Sequence, residues 1–389
     1  MTKLDELIQE LCPDGVEFVS MNELLKRKQI STITPTIKVK RNDYLDIGET
    51  PIISQEIEYI SGYCNFHDKN IPCGNYVCFG DHSEHIKYIN FSFVQGADGL
   101  KIMRTNESTI SSRYLFHALS SKYQRHNNYE MHFKYLTDTI IPVPPLPVQR
   151  EIVRILDNFT ELTAELTAEL TARKKQYAYY RDKLLTHSSE TKICKLADVC
   201  ESIADGDHMP PPKADDGIPF ITISNITEQN KIDFSNTMFV PSSYYDALAD
   251  KRKPHSGDIL YTVVGSYGIP VCIEQDTKFV FQRHIAILRP RSEVIKARYM
   301  FHAMQSGAFK AQADKAAKGA AQKTIGLSSL AEMTLPVPDM CIQERLIHVL
   351  DNFDAICTDL NIGLPAEIEA RQKQYEYYRD KLLSFGEKT

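Results

Sequence analysis

The chain carries none of the short motifs by which most catalytic centres announce themselves. It has no GxxxxGK-S/T phosphate loop, no GxGxxG after a strand, no GxSxG elbow and no HExxH. Adenine methyltransferases hold the amino group to be alkylated in a D/N/S-P-P-F/Y/W loop, and the one comparable run here, PPPK at 210–213, lacks the aromatic. This joint absence points to a binding protein. No apolar run is long enough to cross a bilayer, and MTKLDELIQELCPDG is acidic where a secretory signal is basic and then apolar, so a cytoplasmic protein is expected. The nine cysteines form no CxxC pair, which argues for reduced and mostly buried thiols. A net charge of −6 excludes a bulk polycation, so any nucleic-acid binding must rest on local patches or on a partner.

What the chain does have is an internal repeat. IPVPPLPVQREIVRILDNF at 141–159 aligns with LPVPDMCIQERLIHVLDNF at 335–353, and RKKQYAYYRDKLL at 173–185 with RQKQYEYYRDKLL at 371–383. Upstream, RYLFHALSS (113–121) echoes RYMFHAMQS (298–306), and GNYVC (74–78) echoes GDILY (257–261). Between these anchors the halves barely agree. A duplicated frame therefore carries two different variable parts, within a 389-residue chain of ordinary globular composition.

The frame reads as helix. After PVPPLPV, apolar residues including Leu162, Leu166 and Leu170 recur every three or four positions, with no glycine or proline from Val148 to Thr186. One continuous helix of roughly 55 Å is expected. Such a helix needs a partner, and the second copy supplies one through Leu350, Phe353 and Leu360. NIGLP at 361–365 should break that copy, with a restart at Pro365. The variable parts read as mixed α and β: IPFITISNI (218–226), DILYTVVG (258–265) and FVFQRHIAIL (279–288) as strands, 109–123 and 293–306 as helices. The expected layout is α+β: mixed domains at 1–147 and 188–338, each followed by a frame helix, at 148–187 and 339–389.

Candidate contacts to nucleic acid are clustered cations and polar turns. The cations are Lys26 and Lys28; Lys38, Lys40 and Arg41; Lys251, Arg252 and Lys253; and Lys318 and Lys323 within a small-residue segment, with Arg283 added from the FVFQRHIAIL run. The turns are FGDHSEH with Asp81 and His82, DGDHMPPPK with Asp207 and His208, and GSYG with Ser266 and Tyr267. Each also reads as an ordinary solvated cluster or capped turn. Cys64, His67, Cys73, Cys78, His82 and His85 lack the paired knuckles of structural zinc sites, and YVC at 76–78 reads better as a strand with an inward thiol; no metal is expected.

These features together resemble the DNA-specificity subunit of type I restriction-modification systems. The resemblance rests on PLPVQREIVRILDNF with RKKQYAYYRDKLL, their second copy, the opening LDELIQELCPDGVEF, and DGDHMPPPK and GDILYTVVGSYG, and it covers nearly the whole chain. It implies two target-recognition domains, each reading one half of a split double-stranded DNA target, held by two antiparallel helices that form a coiled-coil spacer. It further implies two methyltransferase subunits and a translocating restriction subunit, which bring S-adenosylmethionine, ATP and magnesium, while this chain has neither catalysis nor cofactor of its own.

Within that resemblance, TELTAELTAELTAR at 160–173 acquires a purpose. Each TAEL unit adds about 6 Å and a turn of roughly 40°. A base pair adds about 3.4 Å and roughly 35°. One unit gained or lost should change the unspecified gap by about one base pair; otherwise the unit is plain helix filler. KICKLADVC after the first helix matches VEFVSMNELL loosely, so the organisation should be nearly circular, with the two chain ends close. Tyr177, Tyr180, Arg181, Tyr375, Tyr378 and Arg379 read equally as partner surface or as helix–helix core. A fused enzyme with unrecognised motifs and a scaffold without a DNA role remain alternatives.

Overall fold

The computed structural model describes residues 2–388 apart from 36, 66–69, 97–98, 187–190, 207–210, 228, 321 and 360–361. In chain order its elements begin α1 (Lys3–Leu11), β1 (Glu17–Ser20), α2 (Met21–Lys26), β2 (Ile30–Ile33), β3 (Thr50–Ile53), β4 (Gly62–Cys64), β5 (Tyr76–Gly80), β6 (Ile86–Ile89), β7 (Val94–Gln95), β8 (Leu100–Thr105), α3 (Ser112–Lys122), α4 (Phe133–Asp138), β9 (Ile140–Val143) and α5 (Leu146–Leu184). They continue β10 (Lys192–Lys195), α6 (Leu196–Val199), β11 (Cys200–Asp205), β12 (Ile218–Ile221), β13 (Met238–Val240), α7 (Ser242–Ala247), β14 (Ile259–Thr262), β15 (Pro270–Cys272), β16 (Val280–Phe281), β17 (Ile285–Pro290), α8 (Ala297–Met304), α9 (Gly307–Ala316), α10 (Leu327–Glu332), β18 (Thr334–Val337), α11 (Met340–Thr358) and α12 (Leu364–Leu382).

The duplication is complete at the level of sheets. The first half forms β2-β8-β5-β6, β4-β3-β7 and the pair β1-β9; the second forms β11-β17-β14-β15, β13-β12-β16 and β10-β18. The chain divides into two compact units, 1–165 with 368–389, and 166–367. The cuts fall inside α5 and α12. In each unit an apolar strand lies in the middle of the larger sheet, β5 (YVCFG) and β14 (ILYT), with every residue buried. Burial pushes the Cys78 thiol up to about 12, so it behaves as a small core residue. Six of the nine cysteines are buried.

Local chemistry explains where the elements start and stop. The apparent single strand 279–288 is two, because Gln282 donates its N–H to Ile221 and its carbonyl accepts from Ile285, closing a turn between β16 and β17. Likewise 218–226 stops at Ile221, where Thr222 and Asn225 cap a short 3-10 turn. The helix α5 runs unbroken for 39 residues, with Pro147 in its first turn, where the missing N–H would have had no partner. The second frame helix breaks as expected. A Cβ on Gly363 would lie 2.6 Å from the carbonyls of Ala355 and Asp359, and Pro365 then enters the first turn of α12. Near the two ends, Val16 pairs with Glu387 and donates its N–H to Gly386 at 2.9 Å. β10 with α6 stands in the second unit where β1 with α2 stands in the first, as the loose match implies.

One buried network is built twice from the repeated letters. In the first unit, His117 Nε2 lies 3.1 Å from Asp157 and its Nδ1 2.9 Å from the Tyr375 hydroxyl, while Arg113 donates to Asp157 at 2.7 Å. In the second, His302 Nε2 lies 2.7 Å from Asp351 and its Nδ1 3.0 Å from the Tyr177 hydroxyl, while Arg298 donates to Asp351 at 2.6 Å. Tyr114 and Tyr299 both donate at 2.9 Å to a proline carbonyl, of Pro142 and Pro336. Gln149 and Gln343 both donate at 2.8 Å to another, of Pro144 and Pro338. The closing tyrosine always comes from the other repeat copy. Tyr378 stacks on Phe159 at 5.3 Å and Tyr180 on Phe353 at 5.8 Å, while Arg379 and Arg181 cover Tyr375 and Tyr177. These side chains line the helix packing of their units; Tyr179 and Tyr377 are the strongly exposed rings of the same segments. In the second unit α5 and α11 run antiparallel, Lys174 facing Cys357 and Tyr177 facing Phe353. Leu170 and Leu350 join that core, Leu162 and Leu166 are half-buried, and Leu360 lies outside the described residues.

Burial holds His117 and His302, the histidines of this His–Asp–Arg–Tyr latch, below their ordinary value of 6.5, against the pull of the facing aspartates and with the help of Arg113 and Arg298. Burial opposes ionisation of Asp157 and Asp351, but their histidine and arginine partners win and hold both below 3.8. Below pH 6.5 the unfolded chain therefore takes up protons that the folded histidines refuse, and the aspartates add the same sign at lower pH. Melting temperature is expected to fall between pH 7.5 and pH 5.5. Tyr375→Phe or Tyr177→Phe strands a buried imidazole nitrogen and is expected to cost about 1–3 kcal/mol, read as a lower urea midpoint.

Candidate nucleic-acid interface

In both units the turn that follows the central strand is met by the loop that precedes the last short helix. In the second unit, β14 runs into Val263–Gly268, where Gly265 and Gly268 take positive φ. Val263 accepts from Ile325 at 2.8 Å and Gly265 donates to Lys323 at 3.0 Å, while Lys318 and Thr324 pair to close a hairpin. Only glycine fits at 319, where φ is +124° and a Cβ would stand 2.4 Å from the Gln322 carbonyl. Val263 also donates to His284, which brings Arg283 alongside. Asp205, Arg283, His284, Gln322 and Thr324 line a cleft of about 350 Å³.

The structure thus gathers Ser266, Tyr267, Arg283, Lys318 and Lys323, which are far apart in sequence. Ser266, Arg283, Lys318 and Lys323 are exposed, and Tyr267 donates to Asp314 at 3.0 Å. Arg252 reaches Asp205 at 3.5 Å, Lys253 donates to the Asp246 carbonyl beside the Tyr245 ring, and Lys251 is exposed. Asp207 and His208 lie outside the described residues.

In the first unit, β5 runs into Asp81–His85, and the loop 123–132 packs on it. Asp81 is buried: its carboxylate accepts from the Phe133 N–H at 2.8 Å and meets Lys101 at 3.2 Å, so it anchors the loop. His82 is half-buried, with Nδ1 2.9 Å from the Glu130 carbonyl. Glu84 accepts from the Tyr123 hydroxyl and from the N–H groups of His126 and Asn127. Although burial opposes its charge, these donors hold Glu84 down at about 2. Arg41 joins through Glu56, at 2.6 Å, whose neighbour Gln55 accepts from His82. Lys38 pairs with Gln95, Lys40 precedes a 3-10 turn, and Lys26 and Lys28 are exposed at the end of α2, outside this assembly.

Among the described residues, one group of imidazoles and carboxylates lies close enough to share a metal ion: Glu84, His126 and His132. It includes none of the six Cys and His positions weighed from sequence. His132 bonds the Asp81 carbonyl at 3.0 Å and Asn128 at 2.7 Å, and Glu84 accepts from Tyr123, His126 and Asn127, so the trio pins the loop. Sequence reasoning missed this loop. Arg125, Asn127, Asn128 and Tyr129 are exposed on it, as Gln322 is on its counterpart. The available signal was position: both loops follow the RY-FHA anchor and differ completely in content.

The family profile described as type I restriction modification DNA specificity domain matches residues 13–173 and again 188–370. The chain belongs to the type I DNA-specificity family. Among its relatives, the EcoR124I/EcoR124II specificity subunit of Escherichia coli is 30% identical, over 99% of this chain and 97% of that protein. A putative type I specificity subunit of Mycoplasma pneumoniae is 28% identical, over 77% and 90%. The fold matches a type I S subunit from M. genitalium (TM-score 0.54, 13% identity, 95% of this chain and 96% of that one). It also matches a chain from a structure concerned with complex assembly and conformational transition of a type I R-M system (TM-score 0.56, 16% identity, 96% and 98%). For a member of this family, the two turn-and-loop assemblies are the natural candidates for base reading. No described helix is long and apolar enough to cross a membrane.

Lys318→Ala with Lys323→Ala is expected to leave melting unchanged and to flatten the log K against log salt slope for duplex DNA by about 2. Asp81→Ala is expected to cost about 1–3 kcal/mol in stability, because it strands the Phe133 N–H, and thermal melting separates the two effects.

Proposed function

We propose that this chain is the non-catalytic reading subunit of a type I restriction-modification complex, in which each unit reads one half of a bipartite, asymmetric duplex target. The observation that carries the reading is the repeated placement of chain-specific polar side chains on the same turn and loop in two otherwise matching units. Two different readers in one chain need no two-fold symmetry, so the half-sites can differ. The frame helices, with the TAEL repeat in α5, set the unspecified gap. Two methyltransferase subunits dock on the frame where Tyr179, Tyr377 and the edges of Tyr180 and Tyr378 are exposed, and a restriction subunit joins them. S-adenosylmethionine, ATP and magnesium act on those partners, in the cytoplasm. The exposed cations Arg283, Lys318 and Lys323 support phosphate contact within a chain of net charge −6.

The test is coexpression with a methyltransferase subunit and sequencing that detects methylated adenine. One split motif with a fixed gap is expected. Deleting Thr163–Leu166, one TAEL unit, is expected to shorten the gap by about one base pair while leaving both half-sites unchanged. An unchanged gap removes the spacer role, and an absence of modified sites despite a stable complex removes the reading role.

A further inference from the structure

The loop 123–132 of the first unit is held more firmly than a surface loop requires. Glu84 takes the backbone N–H groups of His126 and Asn127, and His126 stacks on Tyr135 at 4.0 Å. Asn128 donates to Glu130 at 2.9 Å, and the Glu130 carboxylate, held at about 2 by Lys134 and Asn128, also bonds Tyr135. This ordering leaves two large side chains in solvent: Tyr129, 90% exposed, and Met131, 65% exposed. Tyr129 is not loose, because its ring lies flat on His82, centroids 5.1 Å apart and planes within 14°. His82 is itself fixed through its Nδ1 to the Glu130 carbonyl and through its N–H to Gln55. A stacked pair with its outer face open, on a firmly held loop that also exposes Arg125, offers a base a π-surface. In the second unit the described part of the corresponding hairpin has Lys318, Gln322 and Lys323 and no aromatic.

Resting on the DNA-reading proposal, we infer that Tyr129, backed by His82 on one face and flanked by Met131, wedges its open face against a base at an opened step of the half-site read by the first unit. That unit gains specificity from how readily a base step opens. The second unit reads from the groove with Gln322 and Arg283. The ring costs little to insert because its rotamer is set before binding.

The test uses the full chain without methyltransferase, so that no partner flips a base. Relaxed plasmid treated with topoisomerase in its presence reports unwinding, and filter binding at several salt concentrations reports affinity. The wild type is expected to change the linking number, Tyr129→Phe to retain the change, and Tyr129→Ala to lose it with about tenfold weaker binding and unaltered melting. Lys323→Ala is expected to weaken binding yet unwind at saturation. Salt-sensitive binding by the wild type without unwinding, or unwinding that survives Tyr129→Ala, overturns the wedge and leaves the reading role standing. No binding to duplex at any salt, by the chain alone or together with methyltransferase subunits, overturns both.

Discussion

A tyrosine hydroxyl supplied by the opposite repeat copy closes each half of this protein. Tyr375 reaches His117 and Tyr177 reaches His302, each imidazole being tied on its other side to an aspartate that an arginine also holds. The imidazole of each set is fully buried while its aspartate and arginine reach solvent, so loss of the tyrosine leaves an unpaired nitrogen that water does not readily replace. Neither half can therefore complete its core from contiguous sequence alone. Circular organisation follows from this chemistry, since the first unit needs the end of α12 and the second needs the end of α5. The TAEL segment lies between Phe159 and Tyr177, so it can vary in length without touching any latch residue.

The same arrangement frees the variable parts to diverge. Strand order, the proline carbonyls and the latch are identical in the two units, and they position one turn and one loop. How those two segments are fastened differs. The first unit uses a side chain, the low-lying carboxylate of Glu84, whereas the second uses backbone, with the hairpin at Lys318 and Thr324 laid against Val264. A buried carboxylate fixes a loop of any sequence that offers N–H groups; a hairpin demands glycine at its turn, and Gly319 supplies it. Chemically different turn-and-loop surfaces thus stand on one scaffold.

Much of this was legible in the sequence because repeated letters meant repeated bonds. The Arg, Tyr and His of RY-FHA, the Asp of LDNF and the first Tyr of QY-YYRD were found by alignment alone, and each takes part in the buried network or in its tyrosine-to-proline anchor. The unbroken α5 and the break at Gly363 followed from where glycine and proline do and do not occur. Local apolar runs were less informative. FVFQRHIAIL looks like one strand because its reversal uses no glycine or proline and is closed by backbone bonds to a distant strand. Asp81 looks like a polar turn residue but is a buried anchor, since its carboxylate meets the Phe133 N–H, 52 residues away. Tyr129 was invisible for the opposite reason: most aromatics in a globular chain are core, and only the fold shows that this one is not.

The central claim is that the turn after each central strand and the loop facing it form the surface that meets DNA. Hydrogen–deuterium exchange of the full chain, with and without duplex DNA at low salt, tests it most directly. Slowed exchange at 80–85 and 123–132 in one unit and at 263–268 and 317–326 in the other, reversed by added salt, is the predicted result. Protection confined to the turn after α2, or to the exposed face of α11, would contradict it.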